Sequence, residues 1–202
     1  MKLLISLITL FVASTTIIAQ EEEERFPIGY EVNQTVYLLG DSIHVRQEPK
    51  SNAKSLAQLP IGTRVTILER SEETLTLNGF TMPWYKVQYG KNKKGFIWGG
   101  KFAMNSFRSN KNTDFIFHFG LEKVVGETAY YQIRVEKDHK ELQHVTFEGF
   151  GGALKAHECT NFGNKGLSEI DDVIYVTAYG EYCGDGGGSV RSEERRVGKE
   201  CL

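Results

Sequence analysis

Trp84 in the run WYKVQY, and Phe96 and Trp98 in GFIWGG, are large aromatic residues in short apolar segments. Such rings give wide contact area at small entropic cost, which is why they dominate binding hot spots. His44 and Arg46 in IHVRQEP add polar groups, and a guanidinium can hold a carboxylate through two parallel hydrogen bonds. These five residues are candidates for recognition by contact rather than for bond-making chemistry. Bond-making candidates are thinner. Cys159 stands in AHECTNFGNKG, with histidines at 118, 139, 144 and 157. A thiol nucleophile needs a histidine partner or a helix start to lower its pKa. No apolar helical run follows Cys159, so we expect no catalytic role for it.

The acidic residues Glu169, Asp171, Asp172, Glu181 and Asp185 lack the regular alternation of a calcium loop. They read as solvated strand ends, and no metal site is expected. GDGGGS, residues 184–189, lacks the lysine and hydroxyl pair of a phosphate cradle and reads as a hairpin turn. No cofactor is implied.

Positioning these residues falls to strands. From about Thr35 to Ala103 the chain breaks into short runs rich in Val, Ile, Tyr and Trp, separated by GD, QEPKSN, PIG and GKNKKG. Closely spaced strands with such turns predict a small all-β barrel. Alternate strand residues face opposite sides. Ile43, Val45, Val65, Ile67, Tyr85, Val87 and Ile97 therefore point inward together. The same alternation sends His44, Arg46, Trp84, Lys86, Phe96 and Trp98 to the outer face, where exposed aromatics would mark an interaction site. The stretch RSEETLTLNGFTMP, residues 70–83, is expected as a loop that could fold over these rings. The polar NSFRSNKN, residues 105–112, reads as a linker. From Thr113 a second β-rich region begins: Phe115, Phe117 and Phe119 alternate, and YYQIRVEKDHKELQHVTFEGF reads as a hairpin with a KDHK turn and Tyr131, Ile133 and Val135 on one side.

IHVRQEP at 43–49, IGTRVTIL at 61–68, WYKVQY at 84–89 and GFIWGGKF at 95–102 together resemble the bacterial SH3-like (SH3b) module of exported proteins. The resemblance spans residues 31–104. His44, Phe96 and the GGK after the last strand depart from its usual pattern. The resemblance implies an SH3-like barrel that binds an extended peptide or peptidoglycan, through a stem or cross-bridge, or else an envelope protein. Trp84, Phe96, Trp98, His44 and Arg46 are the expected ligand-binding residues. The other roles it allows are an accessory targeting module of an envelope hydrolase whose catalytic part is missing, and a purely structural interaction domain.

The ends of the 202-residue chain set its compartment. MKLLISLITLFVASTTIIA has one lysine, an apolar run and small residues ending at Ala19, the layout of a signal peptide over residues 1–19. The run is shorter than the roughly 20 apolar residues that span a bilayer. Export to the periplasm or exterior is expected, with no membrane attachment after cleavage. Residues 20–30, with four successive glutamates, read as a solvated lead-in. At the other end, residues 191–201 resemble a translated sequencing adapter, so residues 191–202 are expected to be an artefactual tail that packs against nothing. Residues 113–190 are then a β-rich domain cut short. Residues 20–190 carry 19 basic and 23 acidic groups, a net of −4 with no basic stripe, which argues against nucleic acid as a partner. Two cysteines remain, Cys159 and Cys183, and an even pair in an oxidising compartment reads as one disulfide.

Overall fold

The computed structural model describes residues 28–126, 128–149, 154–180 and 195–196. The expected signal peptide, most of the acidic lead-in, the GDGGGS turn, Cys183 and most of the tail lie outside the described residues. The described chain is built almost wholly of strands, without an α-helix.

Six strands form the first sheet: β1 (Thr35–Tyr37), β2 (Ile43–Arg46), β3 (Ser55–Leu59), β4 (Arg64–Leu77), β5 (Phe80–Tyr89) and β6 (Lys93–Trp98). Their order is β1-β4-β5-β6-β2-β3, all neighbours antiparallel. The sheet curls into an SH3-like barrel, with a single bridge between Leu38 and Phe102 beside β1. Every residue expected inside is buried: Ile43, Val45, Val65, Ile67, Tyr85, Val87 and Ile97. Cross-strand pairing explains why. Tyr85 lies opposite Ile97 and Trp84 opposite Trp98, so one face of β5 and β6 fills the core while the other carries both tryptophans.

The stretch 70–83 is not a loop. β4 runs on to Leu77, β5 starts at Phe80, and Asn78–Gly79 makes the turn with φ of 55° and 82°. Asn-Gly with two left-handed residues is the favoured two-residue hairpin connection, because its twist matches that of the strands it joins. Register shifts between Ile67 and Glu69 and between Arg70 and Thr74 bend β4 midway. The outer half of this long hairpin carries Leu75, Leu77, Phe80 and Met82.

The second sheet contains β7 (Asn105–Arg108), β8 (Ile116–Val125), β9 (Thr128–Lys137) and β10 (Lys140–Glu148), in the order β10-β9-β8-β7. The expected hairpin forms, with Asp138 and His139 at positive φ in its turn. Asn105–Arg108, expected within a linker, pairs instead with Ile116–Phe119 as the edge strand β7. One face of this sheet is apolar, with Phe117, Phe119, Tyr131, Ile133 and Val135 buried and Phe119 stacked 5.5 Å from Tyr131. The face of opposite parity carries His118, Gln132 and Glu136, all buried and polar. His139 Nδ1 lies 2.9 Å from the Ile61 carbonyl oxygen, and Tyr37 and His118 have ring centroids 5.5 Å apart, so this polar face abuts the barrel. Gly62, at φ 71°, makes the approach possible: a Cβ there would lie 2.6 Å from Glu136 Oε2.

The third sheet holds β11 (Leu154–Asn161), β12 (Val173–Gly180) and the two-residue β13 (Arg195–Arg196). Cys159 and Ile174 join the buried apolar cluster that contains residues from both other sheets. Asp172, expected as a solvated strand end, is buried. It accepts hydrogen bonds from Ser109 Oγ, the Asn110 amide and Asn161 Nδ2, tying the third sheet to the turn after β7. Asp171 does remain at the surface, paired with Lys111. Arg195 and Arg196 pair with Ile174 and Val173, where the tail was expected to touch nothing. An open strand edge offers N–H and C=O groups to any backbone, so pairing of this kind does not depend on the side chains.

Candidate binding groove

The two tryptophans keep the direction the alternation gave them but are not exposed. Trp84 is 4% and Trp98 3% accessible, a correction with a definite cause: the outer half of the β4–β5 hairpin folds against Trp98, and Trp84 lies directly across from Trp98 in the sheet. Trp98 Nε1 donates to the carbonyl oxygens of Leu75 (2.9 Å) and Met82 (3.0 Å). Its ring lies 5.2 Å from that of Phe80, and Gly100 leaves room for the ring where any Cβ would collide with it.

Between this hairpin and β2 lies a groove of about 270 Å³. Trp84 and Trp98 form part of its floor, Leu75 and Leu77 one wall, and His44 and Arg46 part of the opposite side. Four of the five expected residues therefore meet. Phe96 does not line the groove; its ring, half-buried, lies under Lys86 Nζ at 6.0 Å. The expectation missed Leu75, Leu77 and Lys101. The first two were hidden by reading residues 70–83 as a loop, although TLTLNGF alternates and carries the hairpin dipeptide. Lys101 belongs to a short 3-10 turn, Gly99–Lys101, that follows β6.

The polar groups are held in place unequally. His44 is exposed, with Nδ1 2.9 Å from Ser55 Oγ and Nε2 3.2 Å from Gln58 Nε2. Arg46 donates through one guanidinium nitrogen to the Ala53 carbonyl at 2.7 Å, which fixes the fork beside the groove. Lys101 Nζ lies 5.9 Å from the Trp98 ring centroid. Burial, reinforced by the charge of Arg134, holds its pKa below the usual lysine value. Among the described residues no carboxylate forms an ion pair with it. Asp41 is the acidic member of the lining.

Chemistry-bearing residues elsewhere are not brought to this groove. Cys159 lies on β11, a strand rather than a helix start, and burial pushes its thiol up to about 12, the opposite of what a nucleophile needs. It makes no disulfide among the described residues; the expected partner, Cys183, lies outside them. His118 is fully buried at the sheet junction, with Nδ1 2.8 Å from Ser106 Oγ and Nε2 3.5 Å from Glu136 Oε2. No cluster of three metal-ligating side chains occurs among the described residues, and no helix among them is long and apolar enough to cross a membrane.

No curated protein and no solved structure matches this chain. The barrel is different: residues 41–101, inside the 31–104 spanned by the motifs, match the family model of the bacterial SH3 domain.

Proposed function

We propose that this is an exported, non-catalytic binding protein whose SH3-like barrel holds peptide or peptidoglycan at the bacterial envelope. The observation that carries the reading is the groove itself: an aromatic floor and an aliphatic wall flanked by cationic side chains, on a barrel of a family associated with binding. Concave apolar sites with a few placed polar groups are the usual form of a ligand site. The test is retention on purified peptidoglycan sacculi. Trp84→Ala is a poor probe because it would open a hole in the core. Leu77, 41% exposed on the groove wall, is a better one. Leu77→Asp should leave the protein folded and weaken retention by about 2 kcal/mol if this wall is a hot spot. Equal retention of folded wild type and variant would place binding elsewhere. No retention of the wild type would remove the cell wall as ligand.

Export and the Cys159–Cys183 disulfide complete the proposal. The first rests on the apolar run ending at Ala19, the second on the cysteine pair it leaves in an oxidising compartment. The loop closed would contribute on the order of 3 kcal/mol by chain entropy. Intact mass of the secreted natural protein checks both: a start at Gln20 and no alkylatable thiol at either cysteine are expected, and a retained Met1 or two modified thiols would overturn them.

A further inference from the structure

The groove is electrically unlike the rest of the chain. Formal net charge over all 202 residues is −2, yet the permanent charges lining the groove are Arg46 and Lys101 against Asp41 alone. Lys101 is the telling member. It is half-buried, lies beside the Trp98 ring, and has no carboxylate partner among the described residues. Removing an ammonium group from water without an anion is unfavourable, and Arg134 adds repulsion. A ligand carboxylate seated next to it would supply the missing charge and would be held by charge-assisted hydrogen bonds. Alongside stand Leu75, Leu77 and Trp84, an apolar surface suited to a side chain. The volume, about 270 Å³, falls below the roughly 300–1,000 Å³ of sites for drug-sized ligands. It suits the end of a chain better than a long segment passing through.

We infer that the groove takes the carboxyl-terminal end of a peptide, with Lys101 receiving the α-carboxylate and the Leu75–Leu77–Trp84 wall receiving the last apolar side chain. The inference rests on the peptide-binding reading above and narrows it to one chemical feature of the ligand. Arg46, its fork fixed by Ala53, reinforces the positive field from the β2 side.

Trp84 and Trp98 are the chain's two tryptophans and both line the groove, so intrinsic fluorescence reports occupancy directly. The probes are acetylated tripeptides ending in Ala, Leu or Phe, each as the free acid and as the C-terminal amide, titrated into the full chain. The free acids ending in Leu or Phe should bind at least about tenfold more tightly than their amides. Lys101→Met should bind acid and amide alike. Lys101→Arg should keep the preference, and so should Lys91→Met, which removes an exposed cation outside the groove lining. Near-ultraviolet circular dichroism of each variant confirms the fold. Acids and amides bound equally by the wild type would overturn the carboxylate inference and leave peptide binding standing. No binding of any probe up to millimolar concentration would overturn the carboxylate inference, while retention on sacculi decides the binding reading by itself.

Discussion

His118 shows how one residue can carry a structural load that its sequence neighbours hide. In DFIFHFG it alternates with three phenylalanines, so it faces the other side of β8, and that side turns out to be the junction with the barrel. Burial lowers its pKa, Glu136 partly offsets this, and His139 adds to the lowering. Arg134, its cross-strand partner on β9, Glu136, His139 and the Tyr37 phenol of β1 are charged or titratable groups that face it. The sign follows from proton binding. The unfolded chain takes a proton at the ordinary histidine pKa near 6.5, and the folded chain only at lower pH. Stability from neutral His118 is therefore complete above that pKa and is lost as pH falls from it toward the folded value. Urea unfolding between pH 7.5 and 5.5 should show wild type losing stability on acidification, and His118→Gln should show a flatter profile. Parallel profiles would mean that His118 does not titrate in this range. The alternation that gave the barrel core was legible because neighbours in sequence decide it. The partners of His118 were not, since Ser106 and Glu136 meet it only through the pairing of three strands.

At the scale of elements, the hairpin β4–β5 makes the groove. Leu75 and Leu77 form a wall only because the turn at Asn78–Gly79 and the bend in β4 lay the hairpin over Trp98. Its tip is held by the second sheet: the Val124 amide donates to the Asn78 carbonyl at 2.8 Å, and Asn78 Nδ2 donates to the Glu122 carbonyl at 3.2 Å. Gly79 sits so close that a Cβ would collide with the Val124 carbonyl oxygen, and its φ of 82° disfavours any other residue. Gly79→Ala should therefore destabilise the protein by more than about 1 kcal/mol and loosen the wall, so that sacculus retention falls along with the unfolding midpoint. An unchanged midpoint in urea would show that the tip is not held as described. Every part of this hairpin was present in the sequence as TLTLNGF. The polar run Arg70–Glu73 interrupts the apolar pattern where β4 bends, so alternation alone does not carry one strand through it. The strand β7 escaped for a related reason: an edge strand with one exposed side can be as polar as a linker.

The whole molecule departs most from a chain of separable modules. Barrel and second region share one buried cluster, which also takes in Cys159 and Ile174 of the third sheet. Asp172 reaches back across 63 residues to Ser109, a contact that no local pattern announces. The second sheet buttresses the hairpin that walls the groove, so the region without a family match has a place in the binding account. In the proposed binding mode the ligand sits between β2 and the β4–β5 hairpin, over Trp84 and Trp98. Amide hydrogen exchange, with and without solubilised peptidoglycan fragments, tests the claim most directly. Slowed exchange is predicted in residues 41–46, 74–78 and 97–101, with the second sheet unchanged except near Val124. Slowed exchange confined to the second or third sheet, or none anywhere at saturating fragment, would contradict it.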